Sequence, residues 1–440
     1  MMTTEWIRHE CKPLEEHYWE AHHASGLTVL VSPKRFSTYH ATLGVRYGST
    51  DRLSGGRFPM GMAHFLEHKM FERAGGSFDD DFAALGAEVN AYTSYDRTAY
   101  LFSCTDRFPE ALSLLLSLVT EFSVSRASVS RERSIIAEEI RMNADDPWER
   151  CYAEMLRALY HRHPVREEIC GTESSIRRIN PTILQAVFET FYHPANMVLA
   201  VSGDTTPEEV MAVVDCAFPV RGGRSIPPIP RLSVASLKEP LGVSSARVDV
   251  TMPAAKPLFC IGVKMPEPPT GAKALLRCDL GMTILSEMLF SHSGDFYNSL
   301  FESGMISPGM SYGSSIGEGY GYYAISGECD HPEAVFDAFR AYIDRLHDEG
   351  LPRREFDRAR RILYADYVTG FDSTEDIAAS LSGYALDSLE DTERIGLYDF
   401  LSVADAITPE EVMALFEAAF RPSQYTLSTV RPCEGNTKEE

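Results

Sequence analysis

The chain has 440 residues, of which 44% are hydrophobic and 24% charged, so it is globular and long enough for two domains. The formal net charge of −23 argues against nucleic-acid binding, because such a surface needs clustered Lys and Arg. The most apolar segment, 111–122, is too short and polar to span a membrane, and residues 1–16 lack the features of a secretory signal. Nine scattered Cys favour reduced thiols. We therefore expect a cytoplasmic protein with neither a membrane nor a nucleic-acid partner.

Hydrophobic periodicity predicts strands and helices in mixed order. In the first half the predicted strands are 26–32, 39–47, a pair within 88–104, and 197–202, and the predicted helices are 61–72, 109–122 and 128–143. In the second half the predicted strands are 257–265, 310–316 and 320–328. This mixture favours an α+β sandwich over a doubly wound parallel sheet.

Residues 179–199 and 407–427 align without a gap, and both predict a helix opened by Pro and followed by a strand. A competing match between Thr206–Met211 and Thr408–Met413 implies a different offset, but that hexapeptide is a generic helix start. We therefore predict an internal duplication. The predicted segments are a first domain at 1–220, a linker at 221–240, a homologous second domain at 241–432 and a flexible tail at 433–440.

The helix predicted at 61–72 contains the pattern His-x-x-Glu-His. His64 and His68 are four residues apart, so their imidazoles point to the same side of the helix. Two His, a carboxylate and an open position form a common catalytic zinc site, and Glu67 is suited to act as general base. The alternative is a solvated helix face with a Glu–His hydrogen bond. Apolar neighbours favour the metal site, because two buried His without a metal or acid partner would cost free energy.

A third metal ligand is expected from the second long helix. Glu132 and Glu139 share one face of it with Ile135 and Ile136, whereas Glu138 points to another side. A carboxylate on an inward face needs a positive partner, and a zinc ion supplies one. Periodicity therefore favours Glu139 as the ligand, with Glu132 orienting a ligand or the water. The alternative is an ordinary charged helix with salt bridges.

At these residues the chain resembles the insulinase/pitrilysin family of zinc peptidases, the inverzincins, which include the mitochondrial processing peptidases. The motifs that carry the resemblance are His64-Phe-Leu-Glu-His68, Glu132-Arg-x₅-Glu139, Gly171-Thr172, Phe191-Tyr-His-Pro-Ala-Asn196 and Gly203-Asp204. The resemblance implies one Zn²⁺ per chain, bound by His64, His68 and Glu139, with Glu67 and Glu132 in catalytic roles. It also implies two homologous halves that form a clam-shell, with metal in the first half only.

The resemblance further implies that the strand Glu88–Thr93 binds substrate. A peptide would add to this strand through backbone hydrogen bonds at Asn90, Ala91, Tyr92 and Thr93. The alternative is an ordinary sheet strand.

Members of the family that act alone carry an Arg and, seven residues later, a Tyr in the second half. Here Phe301 stands at the Arg position, and Tyr312 is an imperfect candidate for the Tyr. In this respect the chain is similar to a bacterial subtype associated with genes for the 5-aminopentanol modification of elongation factor P, in which a zinc-bearing subunit pairs with a non-zinc homologue.

The combined prediction is a zinc metallopeptidase for small peptides or unfolded segments, paired with a non-zinc homologue as a heterodimer or acting as a homodimer. The alternatives are a dedicated leader-peptide maturation protease and a non-catalytic peptide-binding scaffold.

Overall fold

The computed structural model describes residues 5–51, 58–73, 75–219, 237–389, 391 and 393–433. Most of the predicted linker at 221–240 and of the predicted tail at 433–440 lies outside the described residues. The chain forms two compact units. The first unit contains Met1–Glu138, Ile169–Leu232 and Asp366–Phe400, and the second contains Glu139–Glu168, Ser233–Ala365 and Leu401–Glu440. Each unit therefore takes one segment from the other half of the chain.

The helices and strands of the first half begin with two antiparallel strands and end with a helix. In chain order they are β1 (Ile7–Cys11), β2 (Glu16–His22), β3 (Thr28–Pro33), β4 (Tyr39–Val45), α1 (Met62–Met70), β5 (Glu72–Arg73), β6 (Gly76–Ser77), α2 (Phe78–Leu85), β7 (Glu88–Thr93), β8 (Thr98–Cys104), α3 (Phe108–Thr120), α4 (Arg126–Asp145), α5 (Pro147–Leu159), α6 (Glu173–Ile176), α7 (Pro181–Phe191), β9 (Met197–Gly203) and α8 (Pro207–Ala217).

The second half follows a similar order without the two leading strands. Its elements are β10 (Arg247–Met252), β11 (Leu258–Lys264), α9 (Ala272–Phe290), α10 (Asp295–Glu302), β12 (Ser311–Gly317), β13 (Tyr320–Glu328), α11 (Pro332–Glu349), α12 (Arg353–Thr369), α13 (Thr374–Asp387), α14 (Asp399–Ala406), α15 (Pro409–Ala419) and β14 (Tyr425–Pro432). The predicted strands and helices named above all occur, with ends that differ by at most two residues.

The two large sheets share a five-strand arrangement. The seven-stranded sheet of the first unit has the order β1-β2-β3-β9-β4-β8-β7, and the five-stranded sheet of the second has the order β10-β14-β11-β13-β12. In both sheets one pair is parallel, β3 with β9 and β10 with β14, and the other pairs are antiparallel. This mixed sheet with packed helices is the predicted α+β architecture.

A helix from the other half of the chain covers each sheet. α13 packs on β9 and β4, and α5 packs on β14 and β11. A glycine allows each close approach: a Cβ at Gly44 would lie 2.4 Å from Leu386, and a Cβ at Gly262 would lie 2.4 Å from the sulfur of Met155. The core of the first unit accordingly includes Leu381 of α13, which is 1% exposed.

The repeated segments identified in the sequence have the same structure. In each copy a helix that begins with Pro leads through a 3₁₀ turn, Pro194–Asn196 or Pro422–Gln424, into a buried strand. The side chain of Asn180 caps the first helix, and that of Thr408 caps the second. The polar cap, the Pro and the apolar stripe are local signals, which explains why both copies were predictable.

Among the described residues, no helix is both long enough and apolar enough to cross a membrane.

Candidate active site

The helix α1 is fixed to the sheet by its apolar face. Phe65, Leu66 and Met70 are 0% exposed, whereas His64 and His68 are half-buried on the other side of the helix. The helix starts after Gly61, which has a φ of +79° and whose Cβ would lie 2.4 Å from the carbonyl oxygen of Cys170. Only glycine fits such a position without strain.

The segment after Cys170 also supports the start of α1. Gly171 has a φ of +79°, and a Cβ there would lie 2.8 Å from the carbonyl oxygen of Met60. The hydroxyl of Ser175 donates to that same carbonyl oxygen at 2.9 Å. The Gly171-Thr172 motif, to which the sequence assigned no role, therefore helps to set the position of the helix that carries both histidines.

Three of the predicted metal ligands come together in the structure. One ligand atom each from His64, His68 and Glu139 lies within 4.8 Å of the other two. The imidazole rings of the two histidines have centroids 4.6 Å apart and planes inclined by 59°. α1 carries the histidines and α4, one continuous helix, carries the carboxylate.

Of the two adjacent glutamates on α4, Glu139 belongs to this cluster. Glu138 is exposed and Glu139 is half-buried. The expected apolar stripe is only partly present, since Ile136 is buried but Ile135 is 57% exposed. The face of α4 that carries Glu139 is therefore partly buried rather than wholly apolar and buried.

Glu67 lies next to this cluster and is held by the edge strand of the sheet. It is 8% exposed, and the hydroxyl of Thr93 in β7 donates a hydrogen bond of 2.5 Å to its Oε2. Sequence analysis assigned Thr93 to substrate binding and did not foresee this contact. A hydroxyl donor holds the carboxylate in one orientation.

Glu132 is not one of the three candidate ligands but contacts one of them, His68. Its Oε1 lies 3.0 Å from Nδ1 of His68, and its Oε2 lies 3.7 Å from the ammonium of Lys69. Burial alone would raise the pKa of Glu132, but the hydrogen bond with His68 and the nearby Lys69 outweigh burial and lower it. Burial lowers the pKa of Lys69, and Glu132 partly offsets that effect.

The predicted substrate strand lies at the edge of the sheet. β7 pairs with β8 on one side, and in the described part of the chain no strand pairs with its other side. Its residues alternate between exposed and half-buried; Asn90 and Tyr92 are exposed, while Ala91 and Thr93 are half-buried. Such an edge presents backbone groups that can pair with an added strand.

The matching place in the second half holds an ion pair. Glu287 of α9 accepts a hydrogen bond of 2.6 Å from Arg358 of α12 and another of 2.5 Å from the hydroxyl of Tyr312 in β12. The neighbouring positions on the same helix are Thr283 and Ser286.

The donor set suits zinc. Two imidazole nitrogens and a carboxylate oxygen are the ligands of many catalytic zinc sites, and around one tetrahedral ion such atoms lie roughly 3.5 Å apart. The spread of up to 4.8 Å would close around one ion with small side-chain movements. A carboxylate that accepts a hydrogen bond from a ring nitrogen of a ligand histidine, as Glu132 does from Nδ1 of His68, is typical of such sites.

Comparisons with known proteins agree with this geometry. Residues 54–173 match the family described as Insulinase (Peptidase family M16), and residues 178–363 match the family described as Peptidase M16 inactive domain. A relative from Bacillus subtilis (strain 168), named "Uncharacterized zinc protease YmfH", is 32% identical over 435 residues, which cover 96% of this chain and 98% of the relative. The chain belongs to peptidase family M16, the insulinase family.

Solved structures with the same fold include other members of family M16. A protein from Alicyclobacillus acidocaldarius described as an M16-like peptidase superposes with a TM-score of 0.87 and 31% identity, covering 98% of this chain and 99% of that chain. A protease from Helicobacter pylori superposes with a TM-score of 0.80 at 19% identity, which shows the fold alone. The predicted resemblance to the insulinase family is thereby confirmed.

Proposed function

We propose that this member of family M16 is a zinc-dependent peptidase that hydrolyses peptide bonds in small peptides or unfolded segments. The observation that carries the proposal is the cluster of His64, His68 and Glu139, with Glu67 beside it under the Thr93 hydroxyl. When bound, zinc would supply a Lewis acid for the peptide carbonyl oxygen.

The residues around the site have distinct proposed roles. His64, His68 and Glu139 would bind the ion, and Glu132 would orient His68 through its hydrogen bond. Glu67 would take a proton from the attacking water and pass it to the leaving amine. Its low exposure of 8% supports this role, because bulk water does not compete for the carboxylate.

The peptide would bind along β7 as an added strand. Backbone groups at Asn90, Ala91, Tyr92 and Thr93 would give affinity with modest sequence selectivity. Thr93 donates to Glu67, so a peptide paired with this end of β7 would run beside the proposed general base.

We further propose that activity requires a second subunit, a homologue without the zinc motif. Phe301, at the position where self-sufficient members carry Arg, is 45% exposed and stacks on Tyr297. The hydroxyl of Tyr312 is hydrogen-bonded to Glu287. A partner that supplied a guanidinium and a phenol would complete the stabilisation of the developing oxyanion. A homodimer is the alternative assembly.

The test combines metal analysis with hydrolysis of a peptide library, using the purified chain with and without a homologue from the same genome. We expect one zinc ion per chain and cleavage that depends on zinc. Glu67→Gln should retain zinc and lose hydrolysis by a factor of about 10³ or more. Turnover by Glu67→Gln at the rate of the wild-type chain would remove Glu67 from its proposed role.

The same experiment separates the alternatives. Cleavage of a single leader sequence, with the library left intact, would favour a dedicated maturation protease. Stoichiometric zinc without hydrolysis of any peptide, even beside the homologue, would favour a peptide-binding scaffold.

A further inference from the structure

Lys69 follows His68 directly, and the structure buries it completely. Its side chain is 0% exposed although it lies on α1 next to the predicted metal ligands. A buried ammonium costs free energy unless carboxylates surround it. Its ammonium pairs with the carboxylates of Glu72, just after α1, and Glu132 on α4.

Glu72 extends this contact to the beginning of α4. Its carboxylate accepts hydrogen bonds from the hydroxyl of Ser128 at 2.5 Å and from the guanidinium of Arg131 at 3.1 Å. Lys69 therefore joins α1 to the first two turns of α4 through two acidic side chains. The same two helices carry His64, His68 and Glu139.

The second acidic partner leads directly to a predicted ligand. Glu132 lies between Lys69 and His68, with one carboxylate oxygen toward each. An ionised carboxylate only accepts hydrogen bonds, so Nδ1 of His68 must be the donor, which leaves Nε2 unprotonated for a metal. A positive charge beside the remaining oxygen keeps the carboxylate in place between the two side chains.

We infer that Lys69 is a positioning residue of the metal site: its buried ammonium ties the two ligand-bearing helices together and holds Glu132 against Nδ1 of His68. This inference rests on the proposed zinc site. It assigns a role to a residue that neither binds metal nor touches substrate, and it explains why a lysine stands on the buried face of α1 beside Phe65 and Leu66.

The chain offers a matched control in its second unit. Lys264 is 2% exposed, and its ammonium pairs with Glu239 at 2.7 Å and lies 4.8 Å from the ring centroid of Tyr160. Both lysines are thus buried and paired with a carboxylate, but Lys264 has no contact with the candidate site. Lys69→Met and Lys264→Met therefore each remove one buried ammonium that is paired with a carboxylate.

The experiment measures the zinc dissociation constant of each full-length apo-protein by chelator competition, with the visible spectrum of the Co²⁺-substituted protein as a second readout. We expect Lys69→Met to weaken zinc binding about 10- to 100-fold and to alter the Co²⁺ spectrum. Lys264→Met should match the wild-type chain in both measurements. A folded Lys69→Met protein with wild-type zinc affinity and spectrum would overturn the inference.

A second variant covers the case in which Lys69→Met does not fold. Glu72→Gln changes a side chain that is 33% exposed, and it weakens the same connection without burying a new group. We expect a smaller loss of zinc affinity in the same direction, and no loss would overturn the inference. If the wild-type chain itself bound no zinc, the proposed function would fail instead, so the two failures are distinguishable.

Discussion

The two halves of this protein have a similar order of strands and helices, but the side chains at matching places differ. In the first half, the edge strand β7 contacts α1 through the Thr93–Glu67 hydrogen bond, and α1 and α4 bring together two imidazoles and a carboxylate. In the second half, the edge strand β12 contacts α9 through the Tyr312–Glu287 hydrogen bond. In the second half, α12 has the place in the order of elements that α4 has in the first, and it contributes Arg358 rather than a carboxylate.

This difference shows how one scaffold can lose a metal site and keep its packing. Arg358 donates to the side chain of Glu287 at 2.6 Å, to its backbone carbonyl at 2.9 Å, to Ser291 at 2.8 Å and to Glu355 at 2.7 Å. The guanidinium of Arg358 therefore links α12 to α9. A bound cation would link α4 to α1 in the first half in the same way. Burial opposes the charge of Arg358, but the two carboxylates outweigh burial and raise its pKa.

The largest expected effect comes from Glu139→Gln. An amide is a poor zinc ligand, so we expect zinc affinity to fall at least about a hundredfold and hydrolysis to fall with it. The control is Glu138→Gln, which removes an exposed charge from the same helix and should leave both properties unchanged. Chelator competition and peptide turnover measure the two effects. Equal losses in both variants would contradict the assignment of Glu139.

The next largest effect is expected on stability, from a change in the second half. Arg358→Met should lower the free energy of unfolding by about 2 kcal/mol, because Glu287 loses a charged partner in a site that is only partly open to water. The measurement is urea-induced unfolding, with Arg361→Met, an exposed change on the same helix, as control. Zinc stoichiometry should stay at that of the wild-type chain. A change in stoichiometry would show that the two halves are not independent in this respect.

Acid should destabilise both units through buried histidines. Burial lowers the pKa of His40 in the first unit and of His163 in the second to about 4. The unfolded chain takes up these protons near pH 6.5, and the folded chain only near pH 4. The two neutral histidines therefore contribute fully to the free energy of unfolding above about pH 6.5, and this contribution is lost as the pH falls from about 6.5 to about 4. At pH 5 the loss is about 2 kcal/mol for each group.

The structure explains why His163 stays neutral. The amide of Val165 donates to its Nδ1 at 3.1 Å, and its Nε2 lies 3.1 Å from the carbonyl oxygen of Glu318, so one neutral tautomer satisfies both contacts. Urea unfolding at pH 7 and pH 5 measures the effect. His40→Asn and His163→Asn should each lose less stability on acidification than the wild-type chain. An unchanged pH dependence in either variant would contradict the assignment for that unit.

The smallest effect concerns the contact between the edge strand and the proposed general base. Thr93→Val removes the hydroxyl but keeps the shape, which should cost about 1 kcal/mol and lower kcat roughly fivefold with little change in KM. Thr93→Ser keeps the hydroxyl and should retain most of the activity. Steady-state kinetics on one cleavable peptide measures both constants. A wild-type kcat in Thr93→Val would mean that this hydrogen bond does not hold Glu67 for catalysis.

Several features of the fold and site follow from short-range sequence signals. The spacing of His64 and His68 places both on one side of a helix, and the capped Pro followed by an apolar stripe predicts the repeated helix and strand in both halves. The preference for Glu139 over Glu138 as a ligand rested on the same periodicity, although Ile135, four residues before Glu139, is exposed. Such signals depend only on neighbouring residues within one helix or strand, so they can be recognised without knowledge of distant contacts.

Other features were decided only by the tertiary structure. The exchange of α5 and α13 between the two sheets depends on packing between segments far apart in the chain, and so does the fit of those helices over Gly44 and Gly262. The sequence also did not predict that Lys69 is buried between two acidic side chains or that Arg358 lies beside Glu287. The sequence by itself determined which residue types can bind metal and on which helices they lie. The tertiary structure decided which charged side chains surround these residues. An ion pair forms between side chains that folding brings together from distant segments, so it leaves no periodic pattern in the sequence.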